Sequence, residues 1–222
     1  MSFQNLISKV RNWYNQSNTP VNLSILEDLN DFDIILFKGQ DYWFSYVVEY
    51  VTWSEFSHVG IYLNGATGIK PGLITPVMLE SGYEYFPDEI ENKIKFGVQI
   101  SDVQRVVNEY TGKVYIRRLN ISGELRQQAK QALTEVYQQI ADMPYDYDVF
   151  DLLRAEFDID VGDVQKTNEF FCSALVAYVY AKLGFLSPQI AWDLIRPKDF
   201  GNDYINQNLL DDANYGPLTR IK

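Results

Sequence analysis

Asn168-Glu169-Phe170-Phe171-Cys172-Ser173-Ala174-Leu175-Val176-Ala177-Tyr178-Val179-Tyr180, running on to Gly184, is apolar on nearly every side of a helical wheel. A helix of that kind belongs in the centre of a fold rather than on its surface, and Gly184 is a natural stop for it. The chain's single cysteine, Cys172, falls near the start of this helix. Unpaired N–H groups and the helix dipole favour negative charge in a first turn. A thiol of ordinary pKa is mostly un-ionised at neutral pH, so a nucleophilic cysteine needs such help. Taken alone, Cys172 reads equally as a small buried hydrophobe.

Upstream, the pattern is one of strands. Asp33-Ile34-Ile35-Leu36-Phe37-Lys38-Gly39 is a short apolar run closed by glycine, and Ser57-His58-Val59-Gly60-Ile61-Tyr62-Leu63 is a second. Residues 74–81, 94–100 and 113–119 supply three more candidates. Strands following one another without a helix between each pair favour an antiparallel sheet and an α+β class. A helix with Phe44, Val47, Val48 and Val51 on one face is expected between the first two strands. After Gly123, Leu125, Ala129, Leu133, Val136, Tyr137 and Ile140 recur at helical spacing as far as Met143-Pro144. A further helical stretch is expected at 149–157 and a solvated acidic loop at 158–163. The amphipathic period from Phe3 to Tyr14 predicts a short helix, ended by Pro20 and its turn residues.

With 222 residues and 46% hydrophobic content the chain reads as one domain: an N-terminal helical appendage over 1–28, a core over 31–200, and a polar, loosely held tail over 201–222. The formal net charge of −11 repels phosphate backbones, so nucleic acid is not expected as a partner. One cysteine excludes an intramolecular disulfide. No secretory leader and no membrane span are read in the sequence, so the expectation is a cytoplasmic or virion-packaged protein. Oligomeric state is left open.

His58 is the sole histidine. By alternation it shares a strand face with Gly60 and Tyr62, opposite Val59, Ile61 and Leu63, and Gly60 leaves room for a backbone or a substrate to approach. An ordinary surface or core histidine fits the same pattern. One His and one Cys do not make a metal ligand set, and no metal or other cofactor is expected. Glu80 closes the run Val77-Met78-Leu79-Glu80-Ser81; beside the His58 strand its carboxylate would orient the imidazole, with Glu84 as the substitute. Elsewhere a glutamate at a strand end is simply solvated. Tyr145 and Asp146, in Met143-Pro144-Tyr145-Asp146-Tyr147-Asp148, place a phenol where it could donate to an oxyanion alongside the Cys172 N–H, or form an ordinary surface turn.

In this order the pieces resemble the permuted branch of the NlpC/P60 papain-like superfamily, which includes YiiX/YebB-like proteins, a poxvirus group and lecithin retinol acyltransferase. Ser57 to Leu63 resembles its histidine strand, Phe171-Cys172-Ser173-Ala174-Leu175-Val176 its cysteine helix, and Pro144-Tyr145 its Pro-Tyr element. Asp33 to Phe37 resembles its first barrel strand, with Phe32 where glycine is usual, and Ala174 stands where glutamate is usual. The resemblance implies an antiparallel half-barrel packed on the cysteine helix. It also implies a Cys172–His58–Glu80 triad, with Tyr145, Asp146 and Ser173 near the oxyanion and substrate. The implied activity is a thiol hydrolase of the peptidase or amidase kind acting on peptide or amide bonds. Thioesterase, phospholipase or acyltransferase action on lipid esters, and a catalytically silent virion or scaffold role, are the alternatives.

Overall fold

The computed structural model describes residues 23–39, 55–83, 86–94, 96–141, 168–190, 195–210 and 213–222. Within them lie α1 (Leu23–Glu27), β1 (Ile34–Gly39), β2 (His58–Leu63), β3 (Val77–Tyr83), β4 (Phe96–Asp102) and α2 (Val103–Glu109). There follow β5 (Gly112–Arg117), β6 (Leu119–Asn120), α3 (Gly123–Ile140), α4 (Asn168–Lys182), α5 (Pro197–Gly201), β7 (Asn214–Tyr215) and β8 (Thr219–Arg220). The expected helices over 3–14, 44–51 and 149–157 and the acidic loop at 158–163 lie outside the described residues.

Six strands form one sheet in the order β4-β3-β2-β1-β5-β8, with every neighbouring pair antiparallel. The class is α+β. Both faces of the sheet are covered, which is why β1 reads as an unbroken apolar run. Ile34, Leu36, Val59, Ile61, Leu63, Val77 and Leu79 pack with Leu175, Val176 and Val179 of α4 and with Leu133 and Ile140 of α3. The other face carries Ile35, Phe37, Tyr62, Met78, Val114 and Ile116, and packs with Leu26, Leu29, Val103, Val106 and Val107. Tyr178 of α4 donates its hydroxyl to Gln139 of α3 at 3.0 Å, joining the two long helices. Gly184, at φ +77°, turns the chain out of α4, and the Phe185 N–H bonds back to the Tyr180 carbonyl at 2.8 Å.

Phe32, just before β1, holds a backbone conformation that glycine adopts most readily. Its φ is +73°, a region that costs an L-residue about 1–2 kcal/mol. The conformation is held from three sides: the Phe32 N–H bonds the Tyr62 carbonyl, the Tyr180 hydroxyl donates to the Phe32 carbonyl at 2.5 Å, and the ring packs edge-on to Phe185 at 5.3 Å. Asp33, fully buried beside it, accepts from the N–H groups of Asn30 and Leu119, while burial raises its pKa.

Two expectations require correction. A helix, α2, does separate β4 from β5; Asp102 caps it by accepting from the Arg105 N–H at 2.8 Å. The described residues between 201 and 222 are not a loose tail. β8 pairs with β5, and buried Arg117 donates to the carbonyls of Gly216, Phe200 and Asn202. Lys222, 3% exposed, sends its ammonium to the carbonyls of Val107, Asn108 and Tyr110 at 2.7–3.0 Å, closing the C-terminal end of α2. Polar composition concealed this because the polar groups are spent on backbone partners. Lys222→Ala strands those buried carbonyls and should lower the unfolding free energy by about 1–3 kcal/mol in urea titration; an unchanged midpoint would contradict this anchoring role.

Candidate functional site

His58 opens β2, next to Phe37 of β1 on one side and β3 on the other. Its ring centroid lies 5.6 Å from that of Phe37, and an added Cβ on Gly82 of β3 would stand 3.5 Å from its Cε1. The alternation read from the sequence therefore holds: His58 belongs to the face that carries Phe37 and Tyr62. Because it is the first residue of the strand, it sits at the end of the sheet. Gly60 is there for another reason than substrate approach. A Cβ on it would lie 2.6 Å from Cγ and 2.7 Å from Sδ of Met78, so the glycine admits the Met78 side chain.

The β2–β3 register, with Ile61 opposite Leu79, brings Glu80 alongside. Its Oε2 is 2.6 Å from His58 Nε2. The Glu80 side chain is fully buried and that of His58 is 21% exposed. Ser101 Oγ of β4 donates to the other carboxylate oxygen, Oε1. A buried carboxylate is tolerated only when charge and hydrogen bonds compensate its lost hydration, and here an imidazole and a hydroxyl provide both. The distance from His58 to Glu80 is thus short, whereas the substitute acid Glu84 lies outside the described residues.

The imidazole pKa is raised well above its ordinary value of 6.5. Burial is the largest influence and acts downward; it is outweighed by the charge of a Cys172 thiolate, by a hydrogen bond to Cys172, and then by the hydrogen bond and charge of Glu80. The structure thus sets Glu80 against the sole histidine, and Cys172 is among the groups that act on that ring.

Other expected members stand differently. α4 begins at Asn168, so Cys172 is its fifth residue, beyond the N–H groups that lack intrahelical partners. The help expected from the helix N-terminus, as dipole or as oxyanion donor, is correspondingly reduced. Cys172 is 2% exposed. Ser173 is fully buried and donates its hydroxyl to the Ile195 carbonyl at 2.9 Å, tying α4 to the segment before α5. Tyr145 and Asp146 lie outside the described residues. Sequence reading passed over Ser101, because a serine near the end of an alternating strand carries no signal until its cross-strand neighbours are known. Among the described residues no group of three or more His, Cys, Asp and Glu side chains is assembled as a metal site.

No protein-family model matches the chain, and no curated protein matches it. Among solved structures it is similar to the crystal structure of the metalloprotein YiiX from Escherichia coli O157:H7, with 18% identity and a TM-score of 0.43, covering 87% of this chain and 97% of that one.

A histidine with a higher pKa folded than unfolded adds stability that is fully present below about pH 6.5 and is lost as pH rises through the folded value. Glu80→Gln keeps the shape but removes one source of the upward shift. Urea unfolding between pH 5 and 9 should show the loss of His58-linked stability completed at lower pH in Glu80→Gln than in the wild type. Identical pH profiles would mean that Glu80 does not charge the ring.

Proposed function

We propose that this chain is a thiol-dependent acyl hydrolase with Cys172 as nucleophile, His58 as its base and Glu80 as the group that orients and stabilises the imidazolium. The observation that carries the reading is that the only imidazole of the chain is tied through Nε2 to a buried carboxylate while the only thiol raises its pKa. The order of histidine strand before cysteine helix, on an antiparallel sheet, supports placing it in the permuted NlpC/P60 papain-like group.

In this mechanism the proton of Cys172 resides on His58. The thiolate attacks the carbonyl carbon of a peptide or amide bond, forming a C–S bond and an oxyanion. Collapse expels the amine, which takes the proton from His58, and leaves a thioester on Cys172. His58 then removes a proton from water, the hydroxide attacks the thioester, and the thiol and the acid are released. The oxyanion donor assigned in this proposal is Tyr145. A net charge of −11 disfavours anionic headgroups and so weighs toward a peptide or amide over a lipid ester.

A second reading, a catalytically silent scaffold, is favoured by one observation: Cys172 is almost wholly buried. Alkylation separates the two. Because there is one thiol, mass spectrometry of the intact chain reports its reaction with iodoacetamide without ambiguity. The hydrolase reading predicts labelling well below pH 8 in the wild type and its loss, by roughly tenfold or more, in His58→Ala. A thiol that reacts only under denaturing conditions would establish the silent reading. Incubation with labelled phospholipid supplies the substrate test, since acyl mass on Cys172 would move the assignment from amides to lipid esters.

A further inference from the structure

We infer that Ser101 is a positioning residue, acting through Glu80 to hold His58 toward Cys172. The inference rests on the thiol-hydrolase reading and adds a member to it on a strand that carries none of the reacting groups.

The two oxygens of Glu80 are divided between two partners. Oε2 faces His58 Nε2, and Oε1 accepts from Ser101 Oγ. The Ser101 hydroxyl is the donor in this contact and the carboxylate oxygen accepts. It also fixes the rotation of the carboxylate about its last bond. Without a partner at Oε1 the group can turn, and the 2.6 Å contact to the ring is no longer imposed.

Gln99 shows that this is a selective contact and not a general property of β4. It is the residue directly across from Glu80, shares its face of the sheet, and is fully buried. Yet among the described residues its amide nitrogen and oxygen meet no hydrogen-bond partner. The side chain placed to bond Glu80 by register does not, and the one displaced by two residues does. Among the described residues the titratable groups that act on His58 are Glu80 of β3 and Cys172 of α4. Tyr110, at the end of α2, shares a hydrogen bond with Ser57 at 3.3 Å, and Tyr62 on the same strand donates to the Leu26 carbonyl. Neither Ser101 nor Gln99 is charged, so β4 acts on the pair through hydrogen bonding alone.

The test uses the full chain and two readouts. One is the NMR titration of the lone histidine ring; the other is the rate of Cys172 alkylation by iodoacetamide as a function of pH. In Ser101→Ala the histidine midpoint should move down toward the ordinary imidazole value and alkylation near pH 6.5 should slow by roughly tenfold, the effect of one hydrogen bond to a charged group. Ser101→Thr retains the hydroxyl and should restore both. Gln99→Leu alters the packing beside Glu80 without removing a hydrogen bond from it and should move neither. Unchanged readouts in Ser101→Ala, a Ser101→Thr variant as impaired as Ser101→Ala, or a Gln99→Leu variant shifted as far would each overturn the assignment. If the wild type labels below pH 8 and Ser101→Ala matches it, this inference alone fails. If the wild-type thiol does not react, the hydrolase reading fails and this one with it.

Discussion

A carboxylate with no solvent contact sits between two strands and the only imidazole in the chain, and the rest of the site is arranged around keeping it there. A buried carboxylate such as that of Glu80 gives up its hydration, and among the described residues the apolar layers on either side do not replace it. His58 and Ser101 do so from the two flanking strands. The arrangement constrains all three strands at once, because a slip of one residue in β2–β3 or β3–β4 would turn one of the partners to the other face.

Packing makes such a slip expensive. The sheet is sandwiched, so the residues alternating with His58 and Glu80 are committed to the layer beneath α3 and α4, while Met78 fills the space over Gly60 on the opposite side. His58 occupies the strand's first position, where its ring meets Phe37 on the second face and Cys172 is among the groups that act on its charge. A histidine one pair further into β2 would have the sheet itself between its ring and α4.

The parts of this fold that could be read directly from the residues are those where burial imposes a period. The α3 pattern of Leu125 to Ile140, the continuous apolar face of α4 and the stop at Gly184 are of that kind, as is the run of strands. What escaped reading has a different physical origin. α2 is seven residues long, too short to show a period, and is specified by the Asp102 cap and three buried valines. The final residues look polar yet are held in place by Arg117 of β5 and by Lys222, which bond backbone carbonyls, an interaction with no sequence pattern. The pairing of His58 with Glu80 was legible once β2 and β3 were taken as neighbours. The contributions of Ser101 and the commitment of Ser173 to Ile195 depend on cross-strand and interhelix geometry, which one strand's alternation does not contain. The reduced help from the α4 N-terminus is a matter of position, since a helix that starts at Asn168 places Cys172 past the N–H groups that lack intrahelical partners.

The chemistry attributed to this site reduces to whether the lone imidazole shares its proton with the lone thiol. Titration of the single histidine by proton NMR in the wild type and in Cys172→Ala measures this without any substrate. The account predicts a wild-type midpoint well above 6.5 that falls when the sulfur is removed, because the anion that stabilises the imidazolium is gone. A midpoint that is ordinary in the wild type, or elevated but indifferent to loss of Cys172, would contradict it.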